Sequence, residues 1–137
     1  MKYSFTYYLL FFCLFEDVSA SEKALIFFNS DKVIIVDTAK TYEEKKQGLM
    51  FREKLNEVSG MILLNKTPKK IDIWMKNTLI DLDIIFIDSE KKILSIKHGY
   101  RLSEDLISSQ TPVIAVLEIP KNCSKALGLK EKEKINW

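Results

Sequence analysis

The sequence has few of the side chains from which metal sites and catalytic triads are built. His98 is the only histidine, and Cys13 and Cys123 are the only cysteines, among 137 residues. These side chains are not spaced like the ligands of a zinc site, and no segment has the acidic pattern of a calcium loop. No serine lies in the nucleophile-elbow motif of hydrolases. We therefore expect no metal ion, no cofactor and no serine-based triad.

Arginine is also rare, which bears on the class of partner. Arg52 and Arg101 are the only arginines, and the formal net charge of the chain is +2. Domains that bind nucleic acid usually present a basic stripe rich in arginine. The densest basic segment, Lys66–Lys70, contains Pro68 and is typical of a loop, whereas Lys130–Lys134 alternates in charge like a solvated surface. We expect no nucleic-acid partner.

Long apolar runs are confined to the N-terminus. Lys2 precedes the aromatic-rich apolar segment Tyr3–Phe15, and Val18–Ala20 then supplies small residues, as in a secretory signal peptide. The apolar segment has 13 residues, whereas a helix that spans a membrane needs about 20. We expect cleavage after Ala20, export to the periplasm or the extracellular space, and no stable membrane anchor afterwards. An uncleaved anchor or a buried N-terminal helix is the alternative.

Cleavage of the signal peptide, residues 1–20, leaves residues 21–137, which suffice for a single domain. A chain of 117 residues buries roughly two thirds of the surface of its unfolded form, so its core needs no disulfide bonds. Cys123 is then the only thiol. Because free cysteines usually behave as small apolar residues, we expect Cys123 to be buried. Pairing between two chains is the alternative, and the oligomeric state stays open.

Short apolar segments bounded by turn residues predict strands. The turn residues Ser30-Asp31 and Ser89–Lys92 each separate two such segments and predict hairpins. The predicted strands are Ala24–Asn29, Lys32–Asp37, Met61–Leu64, Ile71–Lys76, Leu82–Asp88, Ile93–Lys97 and Pro112–Ile119. Short strands at near-regular spacing are typical of sandwiches and barrels. We expect a mainly β fold, either a small antiparallel β-sandwich or a partly open barrel.

One or two short helices complete this β-rich α+β prediction. Thr41 and Glu44 have the spacing of a capping box, which predicts a helix that begins after Thr41. Gly48 is the first residue that favours a helix end. The segment Asn122–Leu127 predicts one or two further helical turns, which end at Gly128.

The segment Ile71–Asp88 combines a strand pattern with unusual polar residues. On a strand, Asp72, Trp74 and Lys76 share one face, and the apolar residues between them face the core. An indole beside polar groups is a common platform for a sugar ring or an extended peptide. The predicted ligand-binding residues are Trp74, Lys76, Asn77, Asp83 and Arg52.

Each of these residues also has an alternative interpretation. Arg52 is a candidate anchor for an anionic ligand group, but it could instead pair with Glu53 or Asp83, or simply be exposed. Trp74 could close the mouth of the fold while its polar neighbours form an internal network that fixes the turn. The sequence does not decide between an open site and such a network.

Three stretches of the chain resemble the bacterial and archaeal family called domain of unknown function 192. They are Gln47–Arg52 with Gly60-Met61, Trp74–Thr78 with Leu82–Ile84 and Phe86–Asp88, and Tyr100 with Val116–Glu118 and Leu127-Gly128. Asp81 departs from the family pattern, in which proline is common, and Asn122 stands where a glycine often follows the strand. The resemblance implies a β-rich, sandwich-like fold, often behind a signal sequence, and no established activity.

Two functions fit these observations. The first is an exported, non-catalytic module that binds a glycan or peptide of the cell envelope through the predicted residues. The alternative is a hydrolase acting on cell-envelope material, with Asp81 or Asp83, alone or with Glu118, as acid or base. Each aspartate has a simpler interpretation as a turn or capping residue. Whether the protein is an enzyme stays open.

Overall fold

The computed structural model describes residues 21–29, 31–55 and 59–137. The predicted signal peptide, residues 1–20, lies outside these ranges. Within them, no helix is both long enough and apolar enough to cross a membrane.

Strands make up most of the regular structure, which confirms the mainly β prediction. The elements are β1 Lys23–Phe28, β2 Val33–Ala39, α1 Tyr42–Gln47, β3 Met61–Lys69, β4 Asp72–Ile73, β5 Leu82–Ile87, β6 Ile93–Gly99, β7 Ile107–Ser108, β8 Val113–Pro120, α2 Cys123–Leu127 and β9 Ile135–Asn136. Seven strands form a curled half-barrel in the order β6-β5-β8-β3-β2-β1-β9, and β4 pairs with β7 in a small second sheet.

The strand pairs are antiparallel with one exception. β2 and β3 run parallel, with Asp37 opposite Met61. The chain between these two strands contains α1, and a crossover connection of this kind is what a parallel pair requires. Both predicted hairpins are present, as β1–β2 and β5–β6.

Two local predictions hold in detail at α1. The Glu44 amide donates to Thr41 Oγ1 at 3.2 Å, and the Thr41 amide donates to Glu44 Oε2 at 2.9 Å. These reciprocal bonds are the predicted capping box. The helix ends at Gly48, whose φ of 48° favours glycine.

Two predicted strand boundaries were wrong. β3 continues to Lys69 through Pro68, where we predicted a loop; its pairing with β8 shifts register between Leu64 and Lys69, and a proline is tolerated at such an irregularity. The predicted strand at residues 71–76 is reduced to β4. Beyond β4 the chain turns, with Asn77 in the left-handed region at φ 55°.

The large sheet separates two apolar clusters. Along β5, Ile85 and Ile87 belong to the first core, which also contains Ile135 of β9. Leu82, Ile84 and Phe86 belong to the second core, which also contains Ile73 of β4. Successive side chains of a strand point to opposite faces, so a strand buried on both faces contributes alternately to the two cores.

Gly60 fixes the backbone of β8 against the start of β3. A β-carbon at Gly60 would overlap the carbonyl oxygen of Glu118 and would lie 2.9 Å from Ile119 Cγ2. Glycine is therefore required for this close approach. The close approach fixes the position of Glu118 on β8 relative to the start of β3.

Candidate functional site

The second core opens into a cavity of about 280 Å³ between α1 and the chain around β4. Its apolar wall includes Leu49, Leu63, Ile73, Met75, Leu82 and Val116, and its polar or amphipathic lining includes Tyr42, Lys45, Lys46, Gln47, Asn65, Lys69, Asp72, Trp74, Thr78 and Glu118. Ile73 and Leu82 belong to the two elements that flank the turn after β4, so that turn forms one side of the cavity.

A buried carboxyl group lies in the lining of this cavity. Glu118 is on β8, paired with Ile84 of β5 and Met61 of β3. Its side chain is only 5% exposed. Within the described ranges no hydrogen bond or ion pair links this carboxyl group to another residue. No side-chain oxygen there is both fully buried and without a hydrogen-bond partner, so the Glu118 oxygens keep some contact with the solvent in the cavity. A β-carbon added at Gly48 would lie 3.6 Å from Glu118 Oε2, so the carboxyl group sits beneath the end of α1.

The surroundings of Glu118 change its acidity. Burial raises the pKa of this carboxyl group from 4.5 to about 7. Removal from water disfavours the charged form, and no donor in the cavity compensates for that loss. Near neutral pH the group is therefore present in both protonation states.

Trp74 lies at the edge of the same cavity. Its side chain is 37% exposed, and Ile73 and Met75 on either side of it are buried. The exposed and buried positions alternate as predicted, although the strand itself is short. The Lys76 ammonium lies 5.1 Å from the centre of the indole and 3.7 Å from the Glu104 carboxylate. This arrangement leaves the indole accessible. If Trp74 closed the mouth of the fold, the indole would instead be sealed on all sides.

The turn that carries Trp74 is held from two sides by backbone hydrogen bonds. The Phe51 amide donates to Asn77 O at 2.8 Å, and the Leu102 amide donates to Thr78 O at 3.0 Å. Phe51 and Leu102 both have left-handed backbones, with φ of 65° and 63°, and both side chains are mostly exposed. Bulky residues rarely adopt that conformation. The turn is thus fixed in shape and has exposed apolar side chains beside it.

Met75 connects this turn to the end of β6, and Gly99 makes room for it. A β-carbon at Gly99 would lie 2.5 Å from Met75 Sδ. We expect Gly99→Ala to lower the free energy of unfolding by about 1–2 kcal/mol, because the flexible methionine must move from its place in the cavity wall. Urea unfolding of the purified variant measures this loss. An unchanged midpoint would contradict the close packing of Met75 on Gly99.

Lysines form a cationic edge to the cavity. Lys45 Nζ donates to Leu64 O at 3.0 Å and to Asn65 Oδ1 at 3.2 Å. Burial lowers the pKa of Lys45, and the charges of Lys69 and Lys66 lower it further, against the opposing effect of the Glu44 carboxylate. Positive charge is thus concentrated at this edge.

The other predicted ligand-binding residues do not line this cavity. Arg52 Nη1 bonds Asp37 Oδ2 at 2.6 Å, which is neither of the predicted pairings with Glu53 or Asp83. Lys76 and Asn77 belong to the turn that carries Trp74, but their side chains lie outside the lining. Asp83 lies on the opposite face of the sheet, because it shares the alternation of Ile85 and Ile87 in the first core.

Asp83 instead joins α2 to the sheet. Its side chain is fully buried, and its carboxylate accepts hydrogen bonds from the Ser124 amide at 3.0 Å and from the Ser124 hydroxyl at 2.5 Å. His98 Nδ1 lies 2.8 Å from its other oxygen. Burial by itself raises the pKa of Asp83, but the bonds from Ser124, His98 and the Asn122 backbone outweigh it, and the pKa falls below its usual value. These contacts hold the start of α2 against the sheet.

Asp81 and Cys123 also make their contacts outside this cavity. Asp81 Oδ1 accepts a bond from the Arg101 amide at 2.8 Å, as expected of a turn residue. Cys123 is half-buried against the first core, and burial together with the charge of Asp83 raises the pKa of its thiol. A raised pKa leaves little thiolate for nucleophilic chemistry. Across residues 21–29, 31–55 and 59–137, no three histidine, cysteine or acidic side chains cluster as metal ligands.

Sequence reasoning considered Glu118 only as a partner for Asp81 or Asp83. A signal was nevertheless present, because Glu118 is the only charged residue in the predicted strand Pro112–Ile119. A carboxylate in such a strand must be either paired or functional. What the sequence could not show was that α1 and the Trp74 turn would leave a cavity above it.

Comparison with known proteins agrees with the predicted resemblance. The model of the domain of unknown function 192 family, described as an uncharacterised ancient conserved region, matches residues 25–137. No curated protein matches the chain. A crystal structure of a protein of unknown function from Novosphingobium aromaticivorans is 31% identical, with a TM-score of 0.79, over 88% of this chain and 89% of that one.

A second crystal structure, of a proposed transcription regulator from Sinorhizobium meliloti, is 30% identical. Its TM-score is 0.76, and the match covers 85% of this chain and 93% of that one. The family match and these two structures each cover most of the chain. The chain therefore belongs to the domain of unknown function 192 family.

Proposed function

We propose that the protein is an exported, non-catalytic binding module that takes part of a cell-envelope glycan or peptide into the cavity beside Trp74. The observation that carries this proposal is the carboxyl group of Glu118. It lies almost entirely buried in the cavity lining and accepts no hydrogen bond from the described part of the chain, so its oxygens have only the solvent of the cavity as a partner. A ligand with a hydrogen-bond donor would supply that partner.

The energetics of Glu118 support a functional role. A carboxylate kept in an apolar environment without donors destabilises the folded protein above its pKa. Leucine or glutamine at this position would avoid that cost. Strongly perturbed ionisable groups in cavities are concentrated at functional sites, and a bound donor would offset the cost.

The size of the cavity limits the ligand. Its volume of about 280 Å³ is near the lower end of the range of small-molecule sites, roughly 300–1,000 Å³. One sugar ring or one amino-acid side chain fits such a space, and the remainder of a glycan or peptide would lie across the exposed indole of Trp74. Aromatic side chains favour this contact because they combine a large apolar face with a polar edge.

The proposed export depends on the signal-peptide pattern of residues 1–20. Expression of the whole chain in a Gram-negative bacterium, followed by N-terminal sequencing of the periplasmic fraction, tests it. We expect a mature N-terminus at Ser21. Retention of the intact chain in the cytoplasm would contradict this part of the proposal and would leave the binding site unaffected.

An array of cell-envelope glycans and peptides, probed with the purified protein, tests the binding function. We expect wild type to bind at least one class of ligand, and we expect Trp74→Ala to weaken that binding at least about tenfold. Phe27→Ala is the matched control, because Phe27 is a similarly exposed aromatic residue on β1 that does not line the cavity. Absence of wild-type binding across the array, or full affinity of Trp74→Ala, would contradict the proposal.

Glu118 also favours a second candidate function, a hydrolase. A carboxyl group whose pKa is about 7 can act as a general acid at neutral pH. In this alternative Glu118 replaces Asp81 and Asp83, which the sequence suggested, and Asp72 is the other carboxylate in the lining. Incubation of the protein with the array ligands that it binds distinguishes the two functions. Products that accumulate with wild type but not with Glu118→Gln would show catalysis. Ligands that stay unchanged would favour binding alone.

A further inference from the structure

Building on the proposed binding function, we infer that the cavity takes a ligand with two opposite charges: an alkylammonium group that reaches Glu118 and an anionic group that stays at the lysine edge. A lysine residue with a free carboxylate, as at the end of a peptide, has this chemistry. The inference selects the peptide class over the glycan class.

The inner part of the cavity favours an ammonium group on an apolar stem. The carboxyl group of Glu118 is 5% exposed, and the wall around it includes Leu49, Met75, Leu82 and Val116, each of which is at most 2% exposed. A buried carboxylate gains most from a donor that also carries positive charge. A sugar ring would leave several hydroxyl groups against apolar side chains, whereas a chain of methylene groups would not.

The outer part of the cavity favours an anion. Lys45, Lys46 and Lys69 all belong to the lining, and none of them forms a salt bridge within the described ranges of the chain. Asp72 is the one exposed carboxylate in the same lining. A simple cation would therefore be repelled at the entrance, while a ligand that also carries a carboxylate would be attracted by these ammonium groups.

The buried carboxyl group of Glu118 and the more exposed lysines thus give the inner and outer parts of the cavity opposite polarity. An ω-amino acid matches both ends at once, because its ammonium and its carboxylate are joined by methylene groups. The length of the methylene chain must match the distance from Glu118 to the lysine edge. Affinity should consequently show an optimum as that chain is lengthened.

Calorimetric titration of the purified protein with 6-aminohexanoic acid tests this inference. Hexanoic acid and hexylamine serve as comparison ligands, because each lacks one of the two charges. We expect 6-aminohexanoic acid to bind at least about tenfold more tightly than either, and shorter ω-amino acids to bind more weakly. Glu118→Gln should remove the advantage over hexanoic acid, and Lys69→Gln should reduce the advantage over hexylamine. Glu131→Gln, which changes an exposed carboxylate outside the lining, should leave all three affinities unchanged.

The outcomes separate this inference from the proposed function. Equal affinities for the three compounds, or full affinity of a folded Glu118→Gln variant for 6-aminohexanoic acid, would overturn the inference. If binding of the array ligands still depended on Trp74 in that case, the proposed binding function would stand without the inference of a ligand with two opposite charges. If neither the array nor the amino acids showed binding that depends on Trp74, both would be overturned. Circular dichroism confirms that each variant is folded.

Discussion

Asp83→Asn is expected to lower the free energy of unfolding by about 3 kcal/mol, because it breaks a buried, charge-assisted network. The Asp83 carboxylate accepts bonds from the amide and hydroxyl of Ser124 and contacts His98. An asparagine replaces one acceptor oxygen with a donor, which then faces another donor. Urea unfolding at pH 7 measures the loss.

Asp81→Asn is the matched control for this prediction. Asp81 lies two residues away and is partly exposed, and its side chain accepts a hydrogen bond from the Arg101 amide. We expect its replacement to cost no more than about 1 kcal/mol.

The Asp83 variant should retain ligand binding at temperatures where it is folded. A variant of normal stability that has lost its ligand would instead place Asp83 in a binding site, as the sequence analysis had predicted.

Glu118→Gln is expected to have the opposite effect on stability. Because the pKa of Glu118 is raised from 4.5 to about 7 in the folded protein, the folded state holds this proton more tightly than the unfolded state. Stability from this group is therefore complete below about pH 4.5 and is lost as the pH rises to about 7. The loss is about 3 kcal/mol at pH 8, since each pKa unit corresponds to about 1.4 kcal/mol.

Removal of the ionisable group should remove this pH dependence. We expect Glu118→Gln to gain about 2–3 kcal/mol over wild type between pH 5 and pH 8, while its affinity for the ligand falls. Urea unfolding at the two pH values measures the gain, and Glu104→Gln serves as an exposed control. A variant with the same pH dependence as wild type would show that the carboxyl group is solvated in the folded protein.

These two predictions describe a division of roles between the faces of one sheet. β5 places Asp83 on the side of the first core, where both of its oxygens have hydrogen-bond partners. β8 places Glu118 on the side of the second core, where its carboxyl group accepts no hydrogen bond from the described residues. The first arrangement stabilises the fold, and the second is available to a ligand. Both carboxylates lie on buried strands of nearly the same apolar composition.

Local sequence signals predicted the local structure well. The capping box of Thr41 and Glu44, the helix end at Gly48 and the two hairpins depend on neighbouring residues and were all correct. The alternation around Trp74 was also correct in burial. It failed as a strand prediction because Asn77 takes a left-handed conformation and the chain turns.

Features that depend on distant partners were not predicted. The strands β7 and β9 have two residues each and are defined only by their pairing with β4 and β1. The parallel pair β2–β3 follows from the path of the crossover, which no residue pattern specifies. The assignment of Asp83 to the Trp74 site failed for a similar reason. A strand buried on both faces has no polar face, so its sequence does not show which core each side chain enters.

The titration of the Glu118 carboxyl group by ¹³C NMR, without and with a bound ligand from the array, tests the central claim most directly. The account predicts a pKa near 7 in the free protein, and a change in both the pKa and the chemical shift when the ligand binds. A pKa near the ordinary 4.5 in the free protein, or a titration curve that the ligand leaves unchanged, would contradict it.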